Sequence, residues 1–523
     1  MAGESFLRGY VEHMGEGPFF GTVRNQPDGR ALRNFVAAID PDRRVNILMD
    51  FSDRLREAGT VYHPSLSLNT LAWARMPRGA DSYALCGITH TTATRGSLFH
   101  IADLLNAPLE PWDAVICTSE AVRRSVETQF GFMADYQRRR FGPGAILPAP
   151  PMLPVIPLGI RTADFAPDAA KGRALREKLG IPGDAVLAMV LARLTVFGKF
   201  DPIPLFMAMQ KAANIGGQKL HLLLVGRFAL GSTEADYRQA AKLMPDVTLH
   251  IFDGAPHENR IASLSGADIF LFPIDNLQET FGLAPIEAMA AGLPVVATDW
   301  DGLRDTVSPD CGFLVPTLTG SADHSRPESL RYLLEADNEP QFQSLHASMT
   351  VYDTDAMAIR IDRLARDPAL RRKMGQAGQD RARRDFDWQA VIPRMKALWA
   401  EQAGVRKARG KNLFEGCEIP VLPAAFANFA AWPVKQLAVG SFWFKANDAP
   451  DLPTVAELID LRQTGRLKRS VESPERLEEV LDTARAAPGL VTSREVAEKL
   501  NVPVLSVERA ALWLAKYDLL ELA

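Results

Sequence analysis

The feature that most constrains this chain is a series of short, continuous apolar runs, separated by longer segments with helical periodicity. Continuous Val, Ile and Leu runs without a period of two predict strands that are covered on both faces, as in parallel sheets. Strands that alternate with helices predict βαβ units. The predicted strands are 45–50, 83–89, 113–118, 186–192, 220–225, 268–272 and 294–298, and the helices between them include 203–213 and 285–291.

The number of strands predicts two sheets, because the series is too long for one compact domain. The break falls at the proline-rich segment 147–157 (LPAPPMLPVIP), since proline fixes φ and removes a backbone donor. We therefore expect an α/β chain with Rossmann-like domains at 1–160 and 161–400 and a helical extension at 401–523. Such domains bind ligands in a shared cleft, at the carboxyl ends of their strands.

Composition disfavours several classes of protein. The 523 residues carry 59 Lys+Arg against 63 Asp+Glu, whereas nucleic-acid binders usually show a basic excess. The four cysteines lack the spacing of a zinc site, which indicates reduced thiols. The N-terminus does not resemble a signal peptide, and no run reaches the roughly 18 apolar residues of a membrane span. We expect a cytoplasmic protein, and the basic runs 138–140 and 406–411 leave a weak contact with the inner membrane surface open.

The most informative segment is 278–298, QETFGLAPIEAMAAGLPVVAT. It follows a predicted strand, Pro285 suits the first turn of a helix, and Gly292 suits its end. Free N–H groups at the start of that helix favour a phosphate group. Glu279 lies in the preceding loop, and Glu287 lies one turn into the helix on the cleft side. The candidate donor-binding residues at the start of the helix are Phe281, Gly282 and Leu283.

Glu279 and Glu287, in the frame ETFGLAPIEAMAAGLPVVAT, resemble the E-x7-E signature of glycosyltransferase family four. Members of that family are retaining sugar transferases with two Rossmann-like domains, the glycosyltransferase-B fold. Segment 191–201 (LARLTVFGKFD) resembles the family's strand-end Arg followed by Gly-Lys, which gives Arg193 and Lys199. Segments 114–125, 155–165 and 386–388 resemble further family elements. The resemblance covers about residues 80–400 and is best between 185 and 315.

The resemblance implies a nucleotide diphosphate sugar as the donor. Departure of the sugar leaves negative charge on the diphosphate, which fixed cations and N–H donors stabilise. Arg193 and Lys199 are then the cations, Glu287 holds the ribose hydroxyls, and Glu279 orients the sugar. His90, in CGITHTTAT, resembles the family's histidine that approaches the sugar. The resemblance implies no metal and no cofactor apart from the donor, and the acceptor is not identified.

Three alternatives remain open at this stage. Glu279 and Glu287 could form the acid/base pair of a hydrolase, although the adjacent phosphate-type loop argues against it. The same fold also suits a sugar-nucleotide epimerase or a phosphorylase. A non-catalytic binding protein would keep the fold and act through its C-terminal extension. Residues 1–80 do not align with the family, and residues 317–350 have the character of an insertion.

The last 35 residues, 489–523, have the pattern of a helix, a turn and a second helix. Thr492 and Glu495 fit a capping box, and Ser506 is the expected cap of the second helix. This segment carries four basic and five acidic residues. Because phosphate neutralisation dominates DNA affinity, a role in protein interaction or self-association is favoured over DNA binding.

Overall fold

The computed structural model describes residues 2–50, 52–196, 198–229, 232–277, 279–409, 417–463 and 471–523. The chain separates into two compact units, residues 1–421 and residues 422–523. The boundary between the units lies at 421, whereas the sequence placed the start of the extension at 401. Among the described helices, none combines the length and the apolar composition needed to cross a lipid bilayer.

The first half of the first unit contains two small parallel sheets, β1 with β2 and β3-β4-β5. Its strands are β1 (Phe19–Val23), β2 (Val45–Met49), β3 (Thr60–Tyr62), β4 (Ala84–Ile88) and β5 (Ala114–Ile116). Its helices are α1 (Ala2–His13), α2 (Gln26–Ile39), α3 (Asn69–Arg75), α4 (Arg95–Asp103) and α5 (Glu120–Phe141).

The proline-rich segment lies along β5 and extends that sheet at its edge. The N–H groups of Met152 and Ile156 donate to the carbonyls of Asp113 and Cys117, at 2.8 and 3.1 Å. Pro154 only accepts, from the N–H of Cys117 at 2.9 Å. The position tolerates proline because the hydrogen bond of this residue to β5 uses its carbonyl and not an N–H group.

The second half of the first unit is one six-stranded parallel sheet in the order β8-β7-β6-β9-β10-β11. Its strands are β6 (Val186–Leu191), β7 (Leu220–Gly226), β8 (Val247–Asp253), β9 (Ile269–Phe272), β10 (Val295–Thr298) and β11 (Gly312–Val315). Its helices are α6 (Ala169–Lys178), α7 (Pro202–Gly216), α8 (Glu234–Ala240), α9 (His257–Gly266), α10 (Leu283–Ala290) and α11 (Leu303–Thr306). Apolar clusters cover both faces of this sheet, as the continuous apolar runs predict. The strand order reverses between β6 and β9, where α/β sheets bind ligands.

Residues 317–352 form a small element of their own, the inserted segment. Strands β12 (Thr317–Leu318) and β13 (Val351–Tyr352) pair antiparallel at its base. Helices α12 (Arg326–Leu333) and α13 (Glu339–Ala347) lie between them.

Three helices follow, and the last of them returns to the first half. They are α14 (Thr354–Arg366), α15 (Pro368–Arg381) and α16 (Trp388–Arg409). Residues of α16, including Ile392 and Met395, pack against Cys86 and Ile88 of β4. The side-chain amide of Gln402 donates to the carbonyls of Leu85 at 2.9 Å and Trp112 at 2.8 Å. Helix α16 is thus part of the first half's core, although residue 400 was the expected end of the second domain.

The second unit is a small mixed domain with its own apolar core. Its elements are α17 (Ala425–Asn428), β14 (Trp443–Ala446), α18 (Val455–Gln463), α19 (Pro474–Arg485), β15 (Val491–Thr492), α20 (Ser493–Leu500), α21 (Val504–Lys516) and β16 (Leu520–Leu522). The capping box of Thr492 and Glu495 is confirmed at the start of α20. The expected cap at Ser506 is wrong, because the cap position is Pro503 and α21 begins at Val504, three residues earlier than expected.

Candidate active site

The loops that follow β6 and β9 meet at the point where the strand order reverses, and each contributes one charged residue. Lys199 lies in the loop after β6, and Glu279 lies in the loop after β9. The ammonium group of Lys199 donates to a carboxylate oxygen of Glu279. Glu279 is buried and Lys199 is half-buried. The ion pair therefore holds the carboxylate in a fixed position at the carboxyl edge of the sheet.

The Glu279 loop also contacts the first half of the unit. The hydroxyl of Thr280 donates to the carbonyl of His90 at 3.1 Å. His90 follows β4 by two residues, and its ring is open to the cleft. Partial burial lowers the pKa of His90, and a hydrogen bond to the carbonyl of Pro64 partly opposes this shift. The lowered pKa favours the neutral imidazole, and the hydrogen bond of Thr280 holds the loop of Glu279 against the backbone of His90.

Helix α10 begins at Leu283, two residues before the predicted start at residue 285. Gly282 has φ +83°, and a Cβ atom there would lie 2.9 Å from Leu303, so this position requires glycine. The first turn of α10, from Leu283 onward, directs unpaired N–H groups toward this end of the helix. The side chain of Phe281 points the other way: it is buried in the core and packs edge-on against Phe386 at 5.9 Å. Phe281 therefore offers the site only its backbone.

Glu287 lies one turn into α10 and lines a cavity of about 320 Å³. Burial raises the pKa of Glu287 to about 7, and the positive charge of Arg260 partly opposes this rise. Both halves of the first unit contribute to the cavity wall. Its lining includes His90, Ile160, Arg260, Leu283, Glu287 and Trp388. The structure thus brings His90, Leu283 and Glu287 to one cavity, next to the ion pair of Lys199 and Glu279.

Arg193 is the predicted site residue that the structure joins least to the others. It follows β6 by two residues, and its side chain is exposed. In the described part of the chain, no contact joins it to Glu279 or Glu287. A role for Arg193 at the donor therefore requires its long side chain to turn toward the bound group.

Two carboxyl groups near the site were missed by the sequence reasoning. Asp275 follows β9, accepts a hydrogen bond from the N–H of Asp201 at 3.1 Å, and has its pKa raised to about 7 by burial. Asp301 follows β10 and has φ +45°. Burial and the charge of Glu279 raise the pKa of Asp301 to about 7. The available signal was their position after buried strands, which is where α/β sheets place functional side chains.

Comparison with known proteins places a glycosyltransferase domain on this part of the chain. The family model described as "Glycosyl transferases group 1" matches residues 193–324. These residues include β7 to β11 and the loops of Lys199, Glu279 and Asp301. The matched region therefore covers five of the six strands of this sheet, and all three loops of the candidate site.

Curated relatives carry glycosyltransferase names. A GDP-mannose-dependent monoacylated α-(1-6)-phosphatidylinositol monomannoside mannosyltransferase of Corynebacterium glutamicum is 23% identical over 397 residues, 70% of this chain and 91% of the relative. A D-inositol 3-phosphate glycosyltransferase of Corynebacterium efficiens is 28% identical over 257 residues, and the chain spans only 51% of its length.

The chain also resembles solved structures, at low sequence identity. The structure of the Anabaena protein HepE in complex with UDP superposes with a TM-score of 0.49 at 15% identity. The superposition covers 76% of this chain and 96% of HepE. From its group 1 domain, its named relatives and its two Rossmann-like halves, we conclude that the chain is a glycosyltransferase with the glycosyltransferase-B fold.

Proposed function

We propose that the protein transfers a sugar from a nucleotide diphosphate sugar to a hydroxyl group of an acceptor, with retention of configuration at the sugar. The observation that carries this proposal is the convergence of the Lys199–Glu279 ion pair and of Glu287 at the reversal point of the sheet. His90 and Glu287 line one cavity there, and that cavity lies between the two halves of the unit.

The diphosphate binds at Lys199 and at the start of α10. Negative charge grows on the diphosphate as the sugar leaves, so donors that are already in position lower the barrier. Lys199 supplies a fixed positive charge, and the backbone of Gly282 and Leu283 supplies N–H groups at a helix start. Arg193, which is exposed in this structure, adds a second cation once its side chain turns inward.

Glu287 accepts hydrogen bonds from the two ribose hydroxyls. A carboxylate offers two acceptor oxygens, which match a pair of neighbouring hydroxyl groups. The cavity wall beside it is mostly apolar and suits the base of a nucleotide. Glu279 orients the sugar, and the neutral imidazole of His90 approaches the sugar from the first half.

We propose that retention arises from transfer on one face of the sugar and not through a covalent intermediate on Glu279. Because Lys199 already engages Glu279, that carboxylate is better suited to orienting hydroxyl groups than to attacking carbon. We propose that the acceptor oxygen bonds to the anomeric carbon on the face from which the phosphate leaves. The bond from that carbon to the phosphate oxygen breaks, and the nucleoside diphosphate departs with the proton of the acceptor hydroxyl. Transfer requires no metal in this proposal, because Lys199 and the helix start stabilise the leaving group. We therefore expect activity in the presence of EDTA to stay within about twofold of the untreated rate.

GDP-mannose is the first donor to test, because the name of the C. glutamicum relative specifies it. The experiment is a thermal-shift panel with GDP, UDP, ADP and their common sugar conjugates. A donor present at a hundred times its Kd stabilises the folded state by about 2.7 kcal/mol. We expect one nucleotide class to stabilise the wild type and the Glu177→Ala control, which changes an exposed carboxylate on α6, but not Glu287→Ala. The absence of any shift at saturating concentrations would contradict the proposal.

A further inference from the structure

A second cavity, of about 360 Å³, lies in the cleft of the first unit and shares no wall residue with the first cavity. Residues after β4 and at the start of α5 line one side of it. Residues at and after the end of β10 line the other side, and Phe342 of the inserted segment completes the wall. Its polar and aromatic lining consists of Thr92, Ser125, Trp300, Asp301, Arg304 and Phe342.

Asp301 connects this second cavity to the candidate active site. The loop that carries it packs directly on the loop of Glu279, since a Cβ atom on Gly302 would lie 2.3 Å from the carbonyl oxygen of Thr280. The negative charge of Glu279 contributes to the raised pKa of Asp301. The backbone of Asp301 has φ +45°, which costs free energy for a residue other than glycine. The fold thus keeps a carboxyl group in a strained position between Glu279 and the second cavity.

The other polar groups of this cavity are held in place by the protein. The indole N–H of Trp300 donates to the carbonyl of Asn276 at 2.8 Å, which fixes the ring. The guanidinium of Arg304 donates to the carboxylate of Asp299 at 2.5 Å and to its carbonyl at 3.0 Å. An aromatic ring beside a carboxyl group, a guanidinium and hydroxyls matches a ring that bears several hydroxyl groups. The C–H face of such a ring packs on the indole, and its hydroxyls bond to the charged groups.

The inserted segment closes one side of this cavity and is anchored across the cleft. Tyr332 stacks on Phe342 with ring centroids 4.2 Å apart. The hydroxyl of Tyr332 accepts a hydrogen bond at 2.8 Å from the N–H of Arg95, at the start of α4. The guanidinium of Arg95 pairs with Glu335 at 2.8 Å. The wall formed by Phe342 is therefore attached to both halves of the unit.

We propose that the second cavity is the acceptor site and that the acceptor unit it holds is a monosaccharide or a cyclitol, with Asp301 receiving its hydroxyl groups and Phe342 limiting its size. This inference rests on the proposed function, since an acceptor site requires a donor site beside it. The volume of about 360 Å³ is at the lower end of small-molecule sites, which start near 300 Å³. Such a space accommodates one ring, and Phe342 limits it on the side of the inserted segment.

The test measures binding of defined probes to the full-length protein by calorimetry. The probes are myo-inositol, methyl α-D-mannoside and methyl α-D-glucoside, each titrated with the nucleotide that the thermal-shift panel selects and without it. We expect at least one probe to bind the wild type. At pH 8, where the carboxyl group of Asp301 is ionised, we expect Asp301→Asn to weaken that probe roughly tenfold or more, because hydrogen bonds to a charged group are lost. Nucleotide affinity should stay unchanged in this variant.

A matched control and a second variant keep the test independent of folding. Asp310→Asn changes an exposed carboxyl group in the same domain and should bind the probe as the wild type does. Phe342→Ala should admit the disaccharide methyl α-maltoside, which the wild type excludes. Failure of all probes to bind the wild type, or equal binding to Asp301→Asn, would overturn the inference. Nucleotide binding is read out separately, so loss of the acceptor site is distinguishable from failure of the proposed function.

Discussion

At the scale of single residues, Glu287 has an environment that conflicts with the charge proposed for it. Burial raises the pKa of this carboxyl group from its ordinary 4.5 to about 7, so near neutral pH half of the molecules carry it protonated. Ribose hydroxyls that donate to the carboxylate favour its ionised form. Donor binding and ionisation of Glu287 are therefore linked, and the linkage has a measurable sign.

We predict that the affinity for the donor falls as the pH is lowered through 7. Below the pKa of Glu287 a proton must leave before the carboxylate accepts the hydroxyls, which costs up to about tenfold in Kd per pH unit. Titration of GDP-mannose between pH 5.5 and 8.5 measures this, since its diphosphate does not titrate there. Glu287→Gln should bind weakly with no such slope. A wild-type slope that persists in the variant would assign the pH dependence to another group.

The raised pKa of Glu287 also predicts a pH dependence of folding stability. Donor binding favours the ionised carboxylate, whereas the folded state without donor favours the protonated acid. A raised pKa means that the folded state favours the protonated acid, so its contribution is complete below pH 4.5 and is lost as the pH rises toward 7. Glu287→Gln, which mimics the neutral form, should therefore be more stable than the wild type at pH 8 by on the order of 1 kcal/mol. Urea unfolding at pH 8 and pH 4.5 measures this. Equal stability of the two proteins at pH 8 would contradict the proposed cost of ionisation.

A buried ion pair in the first half gives a prediction of larger size. Arg75 and Asp113 are fully buried and bond through two contacts of 2.7 and 2.6 Å. Asp113 also accepts from the N–H of Leu85 at 2.8 Å, so the pair ties α3 to β4. Asp113→Ala leaves an unpaired buried guanidinium and should cost about 3–5 kcal/mol of unfolding free energy. Denaturant unfolding of the first unit measures this loss.

The exposed pair of Asp135 and Arg138 on α5 is the control for that experiment. Its two atoms lie 3.0 Å apart, but both side chains are more than half exposed. Solvent screens such a pair, so Asp135→Ala should cost no more than about 1 kcal/mol. A loss of similar size in the two variants would show that burial does not set the contribution of the Arg75–Asp113 pair.

At the scale of elements, the position of Trp388 at the start of α16 depends on two glycines, Gly9 of α1 and Gly159 of the segment between α5 and α6. A Cβ atom on Gly9 would lie 2.4 Å from Cγ of Trp388, and one on Gly159 would lie 2.5 Å from the same indole. The indole N–H donates to the hydroxyl of Ser5 at 2.9 Å. The ring is thus enclosed on two sides and held by a hydrogen bond, and it has no room to move away from an added methyl group.

We predict that Gly9→Ala destabilises the first unit by about 1–3 kcal/mol, the usual cost of overpacking a filled core. Gly3→Ala is the matched control on the same helix, because nothing lies within 4 Å of its added Cβ atom. Alanine is also the better helix former, so the control should be neutral or slightly stabilising. Parallel urea melts compare the two variants, and equal midpoints would contradict the close packing of α1 on Trp388.

The elements that the sequence predicted are those with the strongest local signal. All seven continuous apolar runs are strands, because burial on both faces leaves few polar residues in them. Strand β8 was missed because it lies at the edge of its sheet, where Thr248 and His250 interrupt the apolar run. Strand β3 was missed because three residues are too few to show a pattern of apolar and polar side chains.

The candidate site was predictable only where one short segment carries it. Glu279, Gly282 and Glu287 lie within nine residues of each other, so a motif identifies them. Asp301 lies near Glu279 because the loops that follow two different strands pack on each other. No local sequence pattern predicts that contact. Phe281 was assigned to the site from its position, but its side chain fills the core beneath the loop. The orientation of a side chain before a helix depends on packing that the sequence alone does not reveal.

At the scale of the whole molecule, the division into two units limits what the C-terminal residues do. The first unit contains all the parallel sheets, α16 and every residue of the proposed donor and acceptor sites. The second unit has a separate apolar core, in which Phe444, Leu477, Val507 and Leu514 are buried. On α21 it leaves Leu505 and Leu512 exposed, and the role in protein interaction or self-association stays a prediction.

We predict that the two units fold and function independently. Residues 1–421 should bind the donor with a Kd within about twofold of the full chain, because no residue of the proposed site lies outside them. Residues 422–523 should unfold in one cooperative transition, since one continuous core joins their helices to their sheet. Calorimetry of the two fragments and of the full chain measures both. A second unit that shows no transition alone would contradict independent folding, and a loss of donor affinity in residues 1–421 would show that the C-terminal residues contribute to donor binding.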